Sequence, residues 1–114
     1  AYLYCPVHPA ILRLLKVAIK AAIDNNIPIG ICGQMGSEIE YTAPLIGMGL
    51  TEFSVAPATI IPEIKKIVRS ITFEKAKEIA ETACQFEDPE KTIRYLRNIA
   101  IDILPEVFEG QNYP

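Results

Sequence analysis

Apolar residues along this chain fall into two kinds of pattern. From the His8-Pro9 pair to Asp24, Ile11, Leu12, Leu15, Ala18, Ile19, Ala22 and Ile23 recur at spacings of three and four, while Arg13, Lys16, Lys20 and Asp24 take the other positions. That period predicts an amphipathic helix. Pro9 suits its first position, where a missing N–H costs nothing, and Asn25-Asn26 suits its end. The same period marks a short helix over Pro62–Ser70 through Ile64, Ile67 and Val68. It marks another helix through Phe73, Ala76, Ala80, Ala83 and Cys84. A last one runs through Ile93, Leu96, Ala100 and Ile103, opened by Asp88 as cap and Pro89 at its first position.

Between the first two helices the pattern changes. Ile27 to Cys32 is an apolar run without alternation, which predicts a strand covered on both faces in a parallel sheet, and Leu50 to Val55 reads as a second strand closed by Ala56-Pro57. Pro28 is tolerated at the start of the first strand. Ser37 and Glu40 match a capping box, predicting a helix from Ser37 that contains Pro44 and stops at the Gly47-Met48-Gly49 turn. Strand, helix, strand, helix with tight connections is the βα repeat. Tyr2-Leu3-Tyr4 reads as a β-prone fragment stopped by Pro6, and Glu106 to Pro114 as a polar tail that frays. The expected division is βα units over about 1–71, a helical extension over about 72–105 and a tail over 106–114.

Composition narrows the function. The chain has 114 residues, a net charge of -3 and charges of both signs in 22% of positions, so no basic stripe is available to neutralise nucleic-acid phosphates. Arg13, Lys16 and Lys20 interrupt the longest apolar stretch, which excludes a membrane span there. The start carries no secretory signal pattern. Three widely spaced cysteines, Cys5, Cys32 and Cys84, fit neither a disulfide framework nor a zinc site and predict a reducing, cytoplasmic setting. The chain opens on Ala1 rather than on a methionine, which hints at a cut N-terminus.

The candidate chemistry sits in Pro28-Ile29-Gly30-Ile31-Cys32-Gly33-Gln34-Met35-Gly36. Here an apolar run ends in a cysteine at a turn rich in small residues. Gly33 and Gly36 let backbone approach a ligand, and amides at the expected helix start near Ser37 are placed to hold an anion and favour an ionisable thiol. The alternative is a cysteine simply buried at a strand end. Gly30, Gly33 and Gly36 do not form a dinucleotide fingerprint, because their spacing is wrong and no acidic residue follows in the expected role. His8, the only histidine, reads as a residue opening a helix, with a Cys32–His8 dyad left open. Glu38, Glu40 and Glu52 read as a cap and solvated faces, Lys65-Lys66-Arg69 as a solvated helix face, and Cys5 and Cys84 as structural.

Tyr2-Leu3-Tyr4, His8-Pro9-Ala10-Ile11-Leu12-Arg13, Gly30-Ile31-Cys32-Gly33 and Leu45-Ile46-Gly47-Met48-Gly49-Leu50-Thr51-Glu52-Phe53-Ser54 occur in this order. Ile64-Lys65-Lys66-Ile67 and Phe73-Glu74-Lys75-Ala76-Lys77 follow. Over nearly its whole length the chain resembles the C-terminal end of the Enzyme I family of bacterial phosphotransferase systems, the phosphoenolpyruvate-protein phosphotransferases. These belong with pyruvate phosphate dikinase and phosphoenolpyruvate synthase among the PEP-utilising enzymes. The resemblance implies an α/β fold, the last two βα units of a TIM (β/α)8 barrel plus two C-terminal helices. It implies binding of phosphoenolpyruvate and pyruvate, with Cys32 as general acid/base at pyruvate enolate and Gly33 and Gln34 beside the substrate. The phosphoryl group would pass to a histidine on a separate N-terminal domain and on to a small phosphocarrier protein. The parent enzyme would use Mg2+, whose ligands lie outside this sequence, as does the phosphorylated histidine.

Two departures are local: Gln34 stands where the family usually has glutamate, and Gly36-Ser37-Glu38 where Ala-Gly-Asp is usual. The implied fragment is inactive alone. A homo-oligomer is expected, with Ile29, Ile31, Phe53 and Val55 meeting a partner chain. The alternatives are a piece of a dikinase or synthase, and a self-association module whose catalysis has lapsed.

Overall fold

The computed structural model describes Cys5 and residues 7–109 of the chain. Tyr2–Tyr4, Pro6 and the last part of the expected tail, 110–114, lie outside them. Helix α1 spans Pro9–Asp24, α2 Gly33–Ser37, α3 Ile39–Gly47, α4 Ile61–Ser70, α5 Phe73–Gln85, α6 Pro89–Ile103 and α7 Pro105–Phe108. A 3-10 turn at Ala58–Ile60 leads into α4.

The α/β expectation is overturned. Among the described residues there is no strand and no sheet, so the two βα units of a TIM barrel are absent and the architecture is helical. Where the two expected strands meet, one parallel bridge joins Ile31 to Phe53. The Ile31 N–H donates to the Glu52 carbonyl at 3.0 Å and the Ser54 N–H to the Ile31 carbonyl at 2.8 Å. The ladder cannot lengthen from there. Pro28 has no N–H to give, Gly30 no side chain to pack, and α2 begins two residues after Ile31. The supposed edge residues Ile29, Ile31 and Phe53 are half-buried and pack on the helical core of this same chain.

The core is built around α3, whose Ile39, Tyr41, Thr42, Ala43, Pro44, Leu45 and Gly47 are all buried. Helix α5 presses on it through Ala76, Ala80 and Ala83, small side chains that let the two backbones approach, with Ile79 buried beside them. At the contact point Gly47 is obligatory, since a Cβ there would stand 2.0 Å from the Ala76 carbonyl oxygen. Helix α6 adds Leu96 and Ala100, and α4 adds Ile64 and Ile67.

Helix α1 lies along α5. His8 caps it, its Nδ1 accepting from the Ala10 N–H at 3.1 Å, and Asn26 ends it in the left-handed region with φ 53°. Leu12, Ile19 and Ala22 are buried, whereas Leu14 and Val17 are each 66% exposed. Arg13 does not merely line a solvated face. It reaches across to α5, its Nε donating to the Cys84 carbonyl at 2.8 Å and its Nη2 to the Phe86 carbonyl at 3.3 Å. It thereby satisfies orphan carbonyls at the negative end of α5. Asp88 caps α6 as the sequence implied, accepting from the Glu90 N–H at 2.9 Å.

Candidate functional site

The cysteine turn takes a tighter form than the capping-box reading implied. The helix after Cys32 begins at Gly33, not Ser37, and Cys32 is its N-cap with extended backbone, φ -134° and ψ -179°. Gly33 has φ +77°, a left-handed conformation that favours glycine, and a Cβ there would meet nothing within 4 Å. Gly36 is buried, facing the Ile31 side chain and the Ser54 carbonyl. The periodicity could not reveal α2, because Gly33, Gly36 and Ser37 give no apolar stripe.

Ser37 is not a cap. Its Oγ donates to the Gly33 carbonyl at 3.0 Å and accepts from the Ala56 N–H at 3.1 Å, pinning the turn to the segment after Phe53. Gln34 Nε2 donates to Glu38 Oε1 at 2.7 Å across one turn. The Tyr41 phenol donates to the same carboxylate, and burial together with the nearby Glu38 and Glu40 charges pushes its ionisation well above the ordinary value of 10.0. Gln34, Glu38 and Tyr41 thus form one hydrogen-bonded chain running from the turn into the core. Sequence reasoning singled out Gln34 and Glu38 separately and missed Tyr41. Helical spacing could not have joined them, because Glu38 lies in the break between α2 and α3 with extended backbone, φ -98° and ψ 127°.

Cys32 stands exposed at the head of this chain as a free thiol. Cys5 is half-buried, and Cys84 is buried on the apolar face of α5, where desolvation pushes its thiol up from 9.0. Among the described residues no hydrogen bond links His8 to Cys32, and the His8 Nδ1 is already occupied in capping α1. Glu40 faces Arg97 at 4.0 Å, and Glu52 folds over Gly30, where a Cβ would meet its side chain at 3.2 Å. Lys66 pairs with Glu106.

No group of three or more His, Cys, Asp or Glu side chains among the described residues comes together to hold a metal ion. The described residues do not by themselves fit a magnesium site. A cavity of about 310 Å³ between the ends of α4, α5 and α6 is lined by Ile71, Thr72, Ile79 and Ile99. Another of about 220 Å³ lies between α1 and α5. Neither is lined by Cys32, Gly33 or Gln34. No helix of the described residues is long and apolar enough to cross a membrane.

The sequence is similar to known proteins over most of its length. Residues 1–73 match the family described as PEP-utilising enzyme, PEP-binding domain. The chain is 41% identical over 85 residues to a phosphoenolpyruvate-protein phosphotransferase of Haemophilus influenzae, an alignment covering 75% of this chain and 15% of that protein. It is 38% identical over 93 residues to the protein of that name from Staphylococcus carnosus, covering 82% of this chain and 16% of the relative. A multiphosphoryl transfer protein of Escherichia coli is 37% identical over 83 residues, 73% of this chain and 10% of its own length. The chain therefore spans only a small part of the curated relatives that it matches.

Proposed function

The chain belongs to the PEP-utilising enzymes, matching their PEP-binding domain, and from that premise we propose that it supplies part of the phosphoenolpyruvate site of a phosphotransferase that moves the phosphoryl group to a protein histidine. One observation carries the reading to the level of a residue. Within the matched segment, a free thiol stands exposed at a turn braced by Ser37 and by the Gln34–Glu38–Tyr41 chain.

In this reading Cys32 is the general acid/base. When the phosphoryl group leaves phosphoenolpyruvate, the remaining enolate must gain a proton at its methylene carbon. The Cys32 S–H bond breaks, the enolate electron pair takes the proton to form the new C–H bond, and the thiolate recovers a proton from water. The reverse sequence removes a proton from pyruvate. Gly33, without a side chain, leaves room for substrate beside the sulfur, and Gln34 brings an uncharged amide side chain next to it. The fragment alone is inactive, because the phosphorylated histidine and the remaining substrate ligands lie on other parts of the parent.

The small phosphocarrier protein, the cytoplasmic setting and the homo-oligomer belong to the same proposal. Free thiols support the second. For the third, support comes from α1 rather than from the segments the sequence suggested: Leu14 and Val17 form an exposed apolar stripe on it.

The test is a chimera in which this chain replaces the matching segment of the Haemophilus influenzae phosphotransferase. Phosphoryl transfer from phosphoenolpyruvate is expected in the chimera, and Cys32→Ala should lower it by about 10²–10⁴-fold, the usual scale for a general acid. A Cys32→Ala chimera as active as its parent would refute the role of the thiol.

A further inference from the structure

The groove between α1 and α5 lies away from the cysteine turn and has a composition of its own. Its volume is about 220 Å³, and its floor is the Gly47-Met48-Gly49 turn. Gly49 keeps the floor low, since a Cβ there would stand 2.6 Å from Ile23 Cδ1, and Gly47 lets α5 close down on the turn. Ile23 and Phe73, 49% and 54% exposed, form apolar walls on opposite sides. Solvent-facing apolar side chains converging on a concavity differ from scattered surface residues, because they share one volume from which water can be displaced.

The rim is cationic. Lys16 and Lys20 come from α1 and Lys77 from α5, against one carboxylate, Glu81. Lys20 is already paired with Asp24 at 2.5 Å. Among the described residues Lys16 and Lys77 pair with no carboxylate, although the whole chain carries a net charge of -3. Two ammonium groups that pair with no carboxylate thus line the groove from separate helices, above an apolar floor. An apolar ligand alone would leave the ammonium groups unused, and a small inorganic anion would leave the floor wet.

We infer that the groove between α1 and α5 is a binding site for a small amphipathic anion, an aliphatic carboxylate whose chain covers Met48, Ile23 and Phe73 and whose headgroup lies between Lys16 and Lys77. The apolar floor and walls call for an aliphatic chain that reaches Met48, Ile23 and Phe73 from a headgroup at the lysines. The site is independent of the reading of Cys32 and stands or falls separately.

The probe is sodium octanoate below its micelle concentration, titrated into the 114-residue chain and followed by amide NMR. Saturable shifts are expected at Met48, Gly49, Phe73 and Lys77, with octanol at least tenfold weaker and octanoate binding falling as sodium chloride is raised. Lys77→Gln should weaken octanoate severalfold. The double variant Lys16→Glu, Lys77→Glu should weaken it more than tenfold and bind octylammonium in its place. Salt dependence in the unaltered chain reads the same charge contribution without any substitution. Equal binding of octanol and octanoate, shifts that do not saturate, or shifts centred on Leu14 and Val17 would overturn the assignment. So would the same shifts arising from protein concentration alone, which would make a second copy of the chain the occupant.

Discussion

Replacing Gly47 by alanine tests the packing on which this fold depends. The added Cβ would lie 2.0 Å from the Ala76 carbonyl oxygen, 2.4 Å from its carbon and 2.8 Å from the Lys77 nitrogen. Ordinary carbon–oxygen contacts begin near about 3.3 Å, so α3 and α5 would have to separate by more than about 1 Å. All three obstructing atoms are backbone, and none can swing aside. Overpacking of this kind costs about 3 kcal/mol, at the upper end of its usual range. Alanine recovers about 1 kcal/mol through its better helix propensity and the reduced freedom of the unfolded chain. The net is a loss of about 2 kcal/mol. For a domain of this size that lowers the melting temperature by roughly 8 °C. Thermal melts followed by circular dichroism, with urea midpoints at unchanged slope, are the assay. Gly30→Ala is the control: its Cβ meets only the exposed Glu52 side chain at 3.2 Å, which can move, so its melting point should stay within about 2 °C. A Gly47→Ala chain melting as the parent does, or a Gly30→Ala chain damaged equally, would refute the reasoning.

Other perturbations follow from the same contacts. Arg13→Ala removes both donors from the end of α5 and should cost about 1.5–3 kcal/mol, read as a lower urea midpoint; an unchanged midpoint would show that the bridge carries no stability. Cys84 and Tyr41 both ionise less readily in the folded chain than in the unfolded one, so the folded state holds protons that the unfolded state releases. Their contribution is complete below the ordinary values of 9.0 and 10.0 and is lost as pH rises through the folded values above them. Urea midpoints should therefore fall from pH 9 to 11, less steeply in Tyr41→Phe above pH 10, and midpoints that held level or rose would contradict the linkage. Leu14→Lys with Val17→Glu should shift sedimentation toward the monomer without lowering the melting temperature, since both side chains are largely exposed. Sedimentation identical to the parent's would remove α1 as the self-association face.

Legibility followed the physics of each element. Helices α1, α4, α5 and α6 were plain in the sequence because a one-sided apolar stripe is what a surface helix needs, and Pro9 and Pro89 marked the starts of two of them. The two expected strands misled because segments of six residues are too short for a period that distinguishes a sheet strand from a buried connection. Pro28 and Gly30, both noticed, weigh against a ladder, and only one bridge forms. At the candidate site, the position of Cys32 at a turn could be read from the boundary between apolar run and glycines. The bracing could not: Ser37 binds a backbone group 19 residues away, and Arg13 finds its acceptor 71 residues on. Such partners are set by tertiary packing, which local pattern does not encode.

Proton exchange at the methyl group of pyruvate, measured in deuterium oxide with the chimera that carries this chain, bears most directly on the central claim. With Cys32 present, deuterium should enter the methyl group, and Cys32→Ala should slow that entry by at least about 10²-fold while the melting temperature is unchanged. Exchange proceeding at the same rate without the thiol would contradict the account.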